Sequence, residues 1–94
     1  MLIKKTVPEP LSPDLVVRGE ITKQLLYKSD KIEISILKFG PYATTQEYSY
    51  SDSRVGYYLA ETCELLGLYE VGEKQWIRNA IGVFQRILVI REFV

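Results

Sequence analysis

Residues 74–91, KQWIRNAIGVFQRILVIR, admit two readings, and the choice between them decides the fold. Wound as a helix, the stretch gathers Trp76, Ala80, Phe84, Ile87 and Leu88 on one face. Laid out as strands, it uses a dense set of β-branched residues: Ile77, Ile81, Val83, Ile87, Val89 and Ile90. Their stiff side chains suit a pleated surface. Gly56, Gly67, Gly72 and Gly82 punctuate the second half of the chain at intervals suited to short strands and turns. The strand reading makes Val83 to Ile90 an apolar strand, buried on both faces or set in an interface. The same choice arises at residues 54–68, where a helix would be capped by Ser53 and stopped by Gly67. We take strands in both places and expect an all-β chain. The alternative is an α+β fold, an N-terminal antiparallel sheet plus two C-terminal helices.

The first half reads as β without that choice. Leu15 to Val17 and Gln24 to Tyr27 are short strand candidates. In residues 31–39, KIEISILKF, Ile32, Ile34 and Ile36 fall on one face and Lys31, Glu33 and Ser35 on the other. Ser29 and Asp30 supply turn chemistry ahead of this strand, and Gly40 and Pro41 end it. Thr44 to Tyr50 is rich in Thr and Tyr, and Ser51, Asp52 and Ser53 form the next turn. Residues 1–14 hold Pro8, Pro10 and Pro13, each fixing φ and removing a donor, so they read as an extended arm. Residues 15–94 then form a single domain. A chain of 94 residues is long enough for one modest core.

Composition excludes more than it specifies. The chain has no histidine, which removes the commonest acid–base group near neutral pH and the commonest metal ligand. Ser-His-Asp and Cys-His nucleophilic sites and Cys/His zinc sites go with it. Cys63 is the one cysteine, so no internal disulfide is expected, and its apolar setting reads as a buried, inert thiol. Twelve basic residues balance twelve acidic ones, a balance without the basic footprint that nucleic acid requires. No apolar run approaches the ~20 residues needed to span a membrane, and the opening MLIKKTVPEP reaches charge and proline too soon for a signal peptide. A cytoplasmic protein with neither nucleic-acid nor membrane partner is expected. The carboxylate pairs Glu61 with Glu64 and Glu70 with Glu73 read as solvated rims.

Taken in order, the strands resemble those of a small single-domain cupin. The resemblance rests on residues 31–41 (KIEISILKFGP) leading into 43–48 (ATTQEY), then 57–67 (YYLAETCELLG), 68–73 (LYEVGE), 75–79 (QWIRN) and 86–90 (RILVI). It covers roughly residues 24–92. Laid on this chain, the leading glycine of the family's metal-binding motif falls on Gly40, and the two histidines of its His-x-His fall on Gln46 and Tyr48. The motif's glutamate falls near Asp52 to Arg54, where none stands, and the remaining histidine falls near Val83. The resemblance therefore implies a degenerate cupin-like jelly-roll barrel lacking the metal-binding histidines, with no metal and no other cofactor. Gln46 and Tyr48 are too weak as ligands to hold a first-row transition metal near neutral pH.

In such a barrel alternate residues point inward. Gln46, Tyr48 and Tyr50 then share a face, and Tyr58, Trp76, Arg78, Gln85 and Arg86 complete a set suited to hydrogen-bonding and stacking on a small polar molecule. Three functions follow. The first is a metal-free, non-catalytic module that binds a small polar ligand or plays a regulatory or accessory role. The second is a structural homodimer, pairing sheets through the arm and the Val83 to Ile90 strand, which is too apolar to leave as an open edge. The third is a histidine-free isomerase or lyase acting on a sugar or small acid through a tyrosine with Glu or Arg. A non-catalytic role is the favoured expectation, with no catalytic residue assigned.

Overall fold

Short polar turns and alternating strands build two antiparallel sheets from residues 6–94, the part of the chain that the computed structural model describes. Positions 1–5 of the expected arm lie outside the described residues. The strands are β1 (Glu9–Pro10), β2 (Val16–Arg18), β3 (Ile21–Lys28), β4 (Ile32–Phe39), β5 (Thr44–Thr45), β6 (Ser53–Tyr58), β7 (Cys63–Glu64), β8 (Leu68–Tyr69), β9 (Arg78–Asn79) and β10 (Gln85–Phe93). One sheet has the order β1-β3-β4-β10-β6-β8 and the other β2-β5-β9-β7. The only helical element among the described residues is a single 3-10 turn at Pro13–Leu15. The α+β alternative is therefore set aside: residues 54–68 and 74–91 supply strands β6 to β10 and no helix. Their β-branched residues outweigh the helical spacing once two sheets are available to pack them.

Local chemistry sets the hairpins. Ser29 Oγ accepts from the amides of Lys31 and Ile32, both at 3.2 Å, and closes the β3–β4 turn. Gly40 to Ala43 form a four-residue turn with Pro41 in second place, closed by the Ala43 N–H on the Gly40 carbonyl at 3.1 Å. Its third residue, Tyr42, has φ 55, in the left-handed region that usually asks for glycine. Residues 6–12 run beside β3, where Thr6 and Leu11 donate to the carbonyls of Leu25 and Ile21. Pro10 sits on the outermost strand of its sheet, where a missing donor breaks no ladder.

The core lies between the sheets. One sheet contributes Ile21, Leu37, Phe39, Val55, Tyr57, Ile87 and Val89, and facing segments add Ala43 and Ile77. Strand β4 faces the core with Glu33, Ser35, Leu37 and Phe39, all buried, while Ile32, Ile34, Ile36 and Lys38 point outward and stay half-buried. Strand β10 divides likewise, with Ile87 and Val89 in the core and Leu88 and Ile90 on the outer face. Its expected range also shifts: Val83 and Phe84 precede the strand and are exposed. The strand is no open edge, because β4 pairs along one side of it and β6 along the other.

Asn79 ties the loop after β9 to the start of β10. Fully buried, it donates through Nδ2 to the carbonyls of Gly40 and Val83, both at 2.8 Å, and accepts from the Ile81 amide at 3.2 Å. Asn79→Ala leaves these buried groups unpaired, and a loss of about 2–4 kcal/mol in urea unfolding is expected.

Candidate functional site

Inward-facing polar residues gather at one end of the barrel. A cavity of about 30 Å³ is lined by Leu11 and Leu15 from the N-terminal segment, Lys23 of β3, Glu33 and Ser35 of β4, Tyr48, Tyr50, Tyr57 of β6, and Val89 and Arg91 of β10, among others. Leu11, Lys23 and Glu33 also line a more open cleft of about 340 Å³ between residues 6–12 and the barrel. The inner space has room for about one water molecule. The outer cleft falls in the size range of small-molecule sites, which begins near ~300 Å³.

Glu33 is the hub of this end. Only 7% exposed, it lies opposite Arg91 on β10 and Lys28 on β3. Its oxygens stand 3.1 Å from Lys23 Nζ, 3.8 Å from Lys28 Nζ and 4.0 Å from the Arg91 guanidinium. Burying a lone carboxylate costs several kcal/mol, so these cations are required by its position. Arg91 is held on every side. Its Nε donates to Ser53 Oγ and a terminal nitrogen donates to Asp52 Oδ1, both at 2.8 Å. Its guanidinium carbon, Cζ, lies 4.1 Å from the centre of the Tyr50 ring and 4.8 Å from that of Phe93. The hydrogen bond from Arg91 holds the Asp52 carboxyl below its ordinary range, with Ser53 adding to the effect.

Beside this network the Tyr48 and Tyr57 hydroxyls share a hydrogen bond of 2.7 Å. Tyr50 meets Tyr48 edge-on at 5.6 Å, and Tyr69 meets Tyr57 at 5.9 Å. Burial pushes both Tyr48 and Tyr57 well above the usual phenol range. Tyr50 and Tyr69 are raised as well, again chiefly by burial. These hydroxyls are neutral donors and acceptors at ordinary pH.

The structure brings two of the sequence-derived candidates, Tyr48 and Tyr50, into this cluster and distributes the other six elsewhere. Gln46 is exposed because of a bulge: Thr45 bonds to the Ile77 carbonyl and Tyr48 to that of Gln75, so Gln46 and Glu47 together oppose Trp76. The extra residue turns Gln46 off the interior face that Thr45 and Tyr48 occupy. Trp76 is half-buried, in alternation with the buried Gln75 and Ile77. Arg78 is exposed and pairs with Glu64 at 3.7 Å. Gln85 points inward and accepts from the Thr62 hydroxyl. It stands six residues along β10 from Arg91, roughly 20 Å away. Tyr58 and Arg86 lie on the outer face, Tyr58 across Gly56, where an added Cβ would run into its ring.

Lys23, Glu33, Tyr57 and Arg91 were not among those candidates, although a parity signal was present. On β4 the face carrying Glu33 and Ser35 continues into Leu37 and Phe39, and on β10 Arg91 shares parity with Ile87 and Val89. Cys63 is half-buried and packed against the core, and burial raises its thiol pKa. Glu61, Glu64, Glu70 and Glu73 are all exposed. No helix among the described residues is long and apolar enough to cross a membrane.

No protein-family model matches the chain, and no curated protein does. Solved structures do. A predicted oxalate decarboxylase from Thermotoga maritima superposes with a TM-score of 0.76 at 15% identity, over 93% of this chain and 92% of its own. An RmlC-like cupin from Shewanella frigidimarina gives 0.56 at 9% identity, over 98% and 96%. The chain has the cupin fold. At these identities the likeness concerns architecture alone.

Cupin barrels commonly carry a metal, but the residues here do not fit one. Gln46 faces outward, Tyr48 is held protonated, and Lys23 and Arg91 bring positive charge to the interior. Among the described residues no three of Cys, Asp and Glu come together as a ligand set.

The raised tyrosines give a pH prediction. A folded-state pKa above the unfolded value stabilises the fold below pH ~10, and this contribution is lost as pH rises further. Alkaline titration followed at 295 nm is expected to show Tyr48 and Tyr57 ionising only together with loss of the near-UV circular dichroism.

Proposed function

We propose that this chain is a metal-free, non-catalytic cupin-fold protein that binds a small polar ligand in the cleft between residues 6–12 and the barrel mouth, as a binding or accessory module. The observation that carries this reading is the contrast between the inner cavity of about 30 Å³ and the contiguous cleft of about 340 Å³. The barrel interior is filled by its own tyrosines and ion pairs, while the mouth keeps ligand-sized space. Thr6, Glu9, Ser12, Lys23 and Glu33 supply polar groups there, and Val7, Leu11 and Leu25 supply apolar contact.

Lys23 is a point donor for a carboxylate or hydroxyl, and Glu33 is an acceptor for hydroxyls. A hydroxy acid or a sugar satisfies both. A metal-free state is supported by the donor set, and a non-catalytic role by tyrosines that stay protonated beside a carboxylate, Glu33, already held by three cations. A cytoplasmic setting accords with a single cysteine and no disulfide.

Two measurements test the reading. Protein purified without chelator is expected to contain far less than one equivalent of iron, zinc, manganese or nickel; a stoichiometric amount of any of them refutes the metal-free claim. In amide NMR, lactate, malate and glucose are titrated separately to millimolar concentration. At least one is expected to shift resonances of residues 6–12, Lys23, Leu25 and Glu33, and Lys23→Ala is expected to abolish the response. An absence of shifts at these residues with all three would remove the ligand site.

A further inference from the structure

Two cations stand side by side on the outer face of the larger sheet. Lys38 of β4 lies directly opposite Arg86 of β10, and both point away from the core that Leu37, Phe39 and Ile87 enter. Like charges directly opposite across a strand pair destabilise it. Among the described residues neither cation forms an ion pair. The five residues at the start of the chain, MLIKK, bring no carboxylate side chain either. Glu20 reaches the same face, where its Cβ and the Phe84 ring flank Gly40, yet it pairs with neither. Lys38 Nζ stands 4.7 Å from the centre of the Phe84 ring, a contact that positions the ammonium without neutralising it.

The two cations open onto a cavity of about 250 Å³ lined by Pro8, Thr22, Gln24, Ile36, Lys38 and Arg86. Register assembles it. Thr22 lies opposite Lys38 on the side away from Arg86, so Thr22, Lys38 and Arg86 make one row of donors. Gln24 and Ile36 form the next row. Gln24 Nε2 donates to the Thr6 carbonyl at 2.6 Å, which fixes the amide and ties it to the segment that carries Pro8. The lining thus offers two full positive charges, a hydroxyl and an amide, and no carboxylate.

We propose that this pocket binds a dianionic phosphoryl group, either free phosphate or the phosphate ester of a small molecule. Charge selects the dianion: a phosphate carries about −1.5 to −2 near neutral pH and balances both cations at once. Geometry fits as well. The Arg86 fork can take two phosphate oxygens together, and Lys38 supplies a point charge for a third. The Thr22 hydroxyl is a further donor. The cavity approaches the ~300 Å³ at which small-molecule sites begin, and Pro8 and Ile36 give apolar contact for the organic part of an ester. A chain with twelve basic and twelve acidic residues argues against a nucleic-acid backbone as the source of the phosphate. The inference is independent of the acid- or sugar-binding cleft, whose Lys23, Leu25 and Glu33 lie on the opposite face of the sheet.

The test is amide NMR on the full chain at constant ionic strength. Sodium phosphate, glycerol phosphate, glycerol and sodium chloride are titrated separately. Phosphate is expected to shift Ile36, Lys38, Arg86 and Leu88 saturably, with a midpoint in the millimolar range, and chloride to leave them unmoved. Lys38→Met keeps the apolar stem and removes the charge, and Arg86→Gln alters an exposed side chain. Each is expected to weaken binding about tenfold, while Arg86→Lys retains part of it. Tighter binding of glycerol phosphate than of phosphate, with no response to glycerol, identifies an ester as the occupant; equal or weaker binding identifies free phosphate. A phosphate response no larger than that of chloride overturns the proposal. So does one that survives the loss of both cations.

Discussion

Glu33 is a carboxylate on the inner face of a strand whose next inward residues are Ser35, Leu37 and Phe39, and much of the barrel mouth is arranged around neutralising it. Lys23 and Lys28 reach it from β3 and Arg91 from β10, so one charge couples both neighbours of β4. Arg91 passes the constraint on: its guanidinium needs acceptors and finds them in Ser53 and Asp52 at the start of β6, and its face needs cover and finds Tyr50 and Phe93. Leu11 and Leu15 then close over the same region. The salt bridge is thus better regarded as a device fixing which strands meet at the mouth than as a source of net stability, since buried ion pairs roughly break even against apolar replacements.

The same network accounts for the chemistry of the site. In place of ligands converging on a cation, the interior presents cations converging on a carboxylate, beside tyrosines hydrogen-bonded to each other. A cupin fold here coexists with a centre of inverted polarity. Architecture and site chemistry are separable in this barrel, because the former depends on the strand register and the latter on a handful of inward side chains.

The all-β class and the order of strands were legible because they rest on local signals: β-branched density, glycine spacing and the turn chemistry of Ser29 and of Gly40 with Pro41. The site was less so, for two physical reasons. A bulge changes parity without leaving a mark in composition, which is why Gln46 reads as an interior neighbour of Tyr48 yet faces solvent. And in β4 and β10 both faces are apolar over several residues, so alternation does not say which is inside. Three isoleucines on one face of β4 are offset by Leu37 and Phe39 on the other, and it is the face of Leu37 and Phe39 that lies in the core. Asn79 was invisible for a different reason: its role is to satisfy carbonyls of Phe39, Gly40 and Val83, partners that sequence spacing does not link.

Strand β10 is the last in order yet sits at the centre of its sheet, between β4 and β6. Its partners on β4 lie some fifty residues earlier, since Gln85 pairs with Phe39 and Glu92 with Ile32. The β3–β4 hairpin can form early through its local turn, but the sheet has no centre until β10 arrives, and closing that long loop must precede the contacts that reward it. The kinetics of this small protein should therefore resemble those of slow, topologically complex β domains. Until that closure, the apolar residues of β4 and β6 remain unpaired along one side and prone to wrong partners.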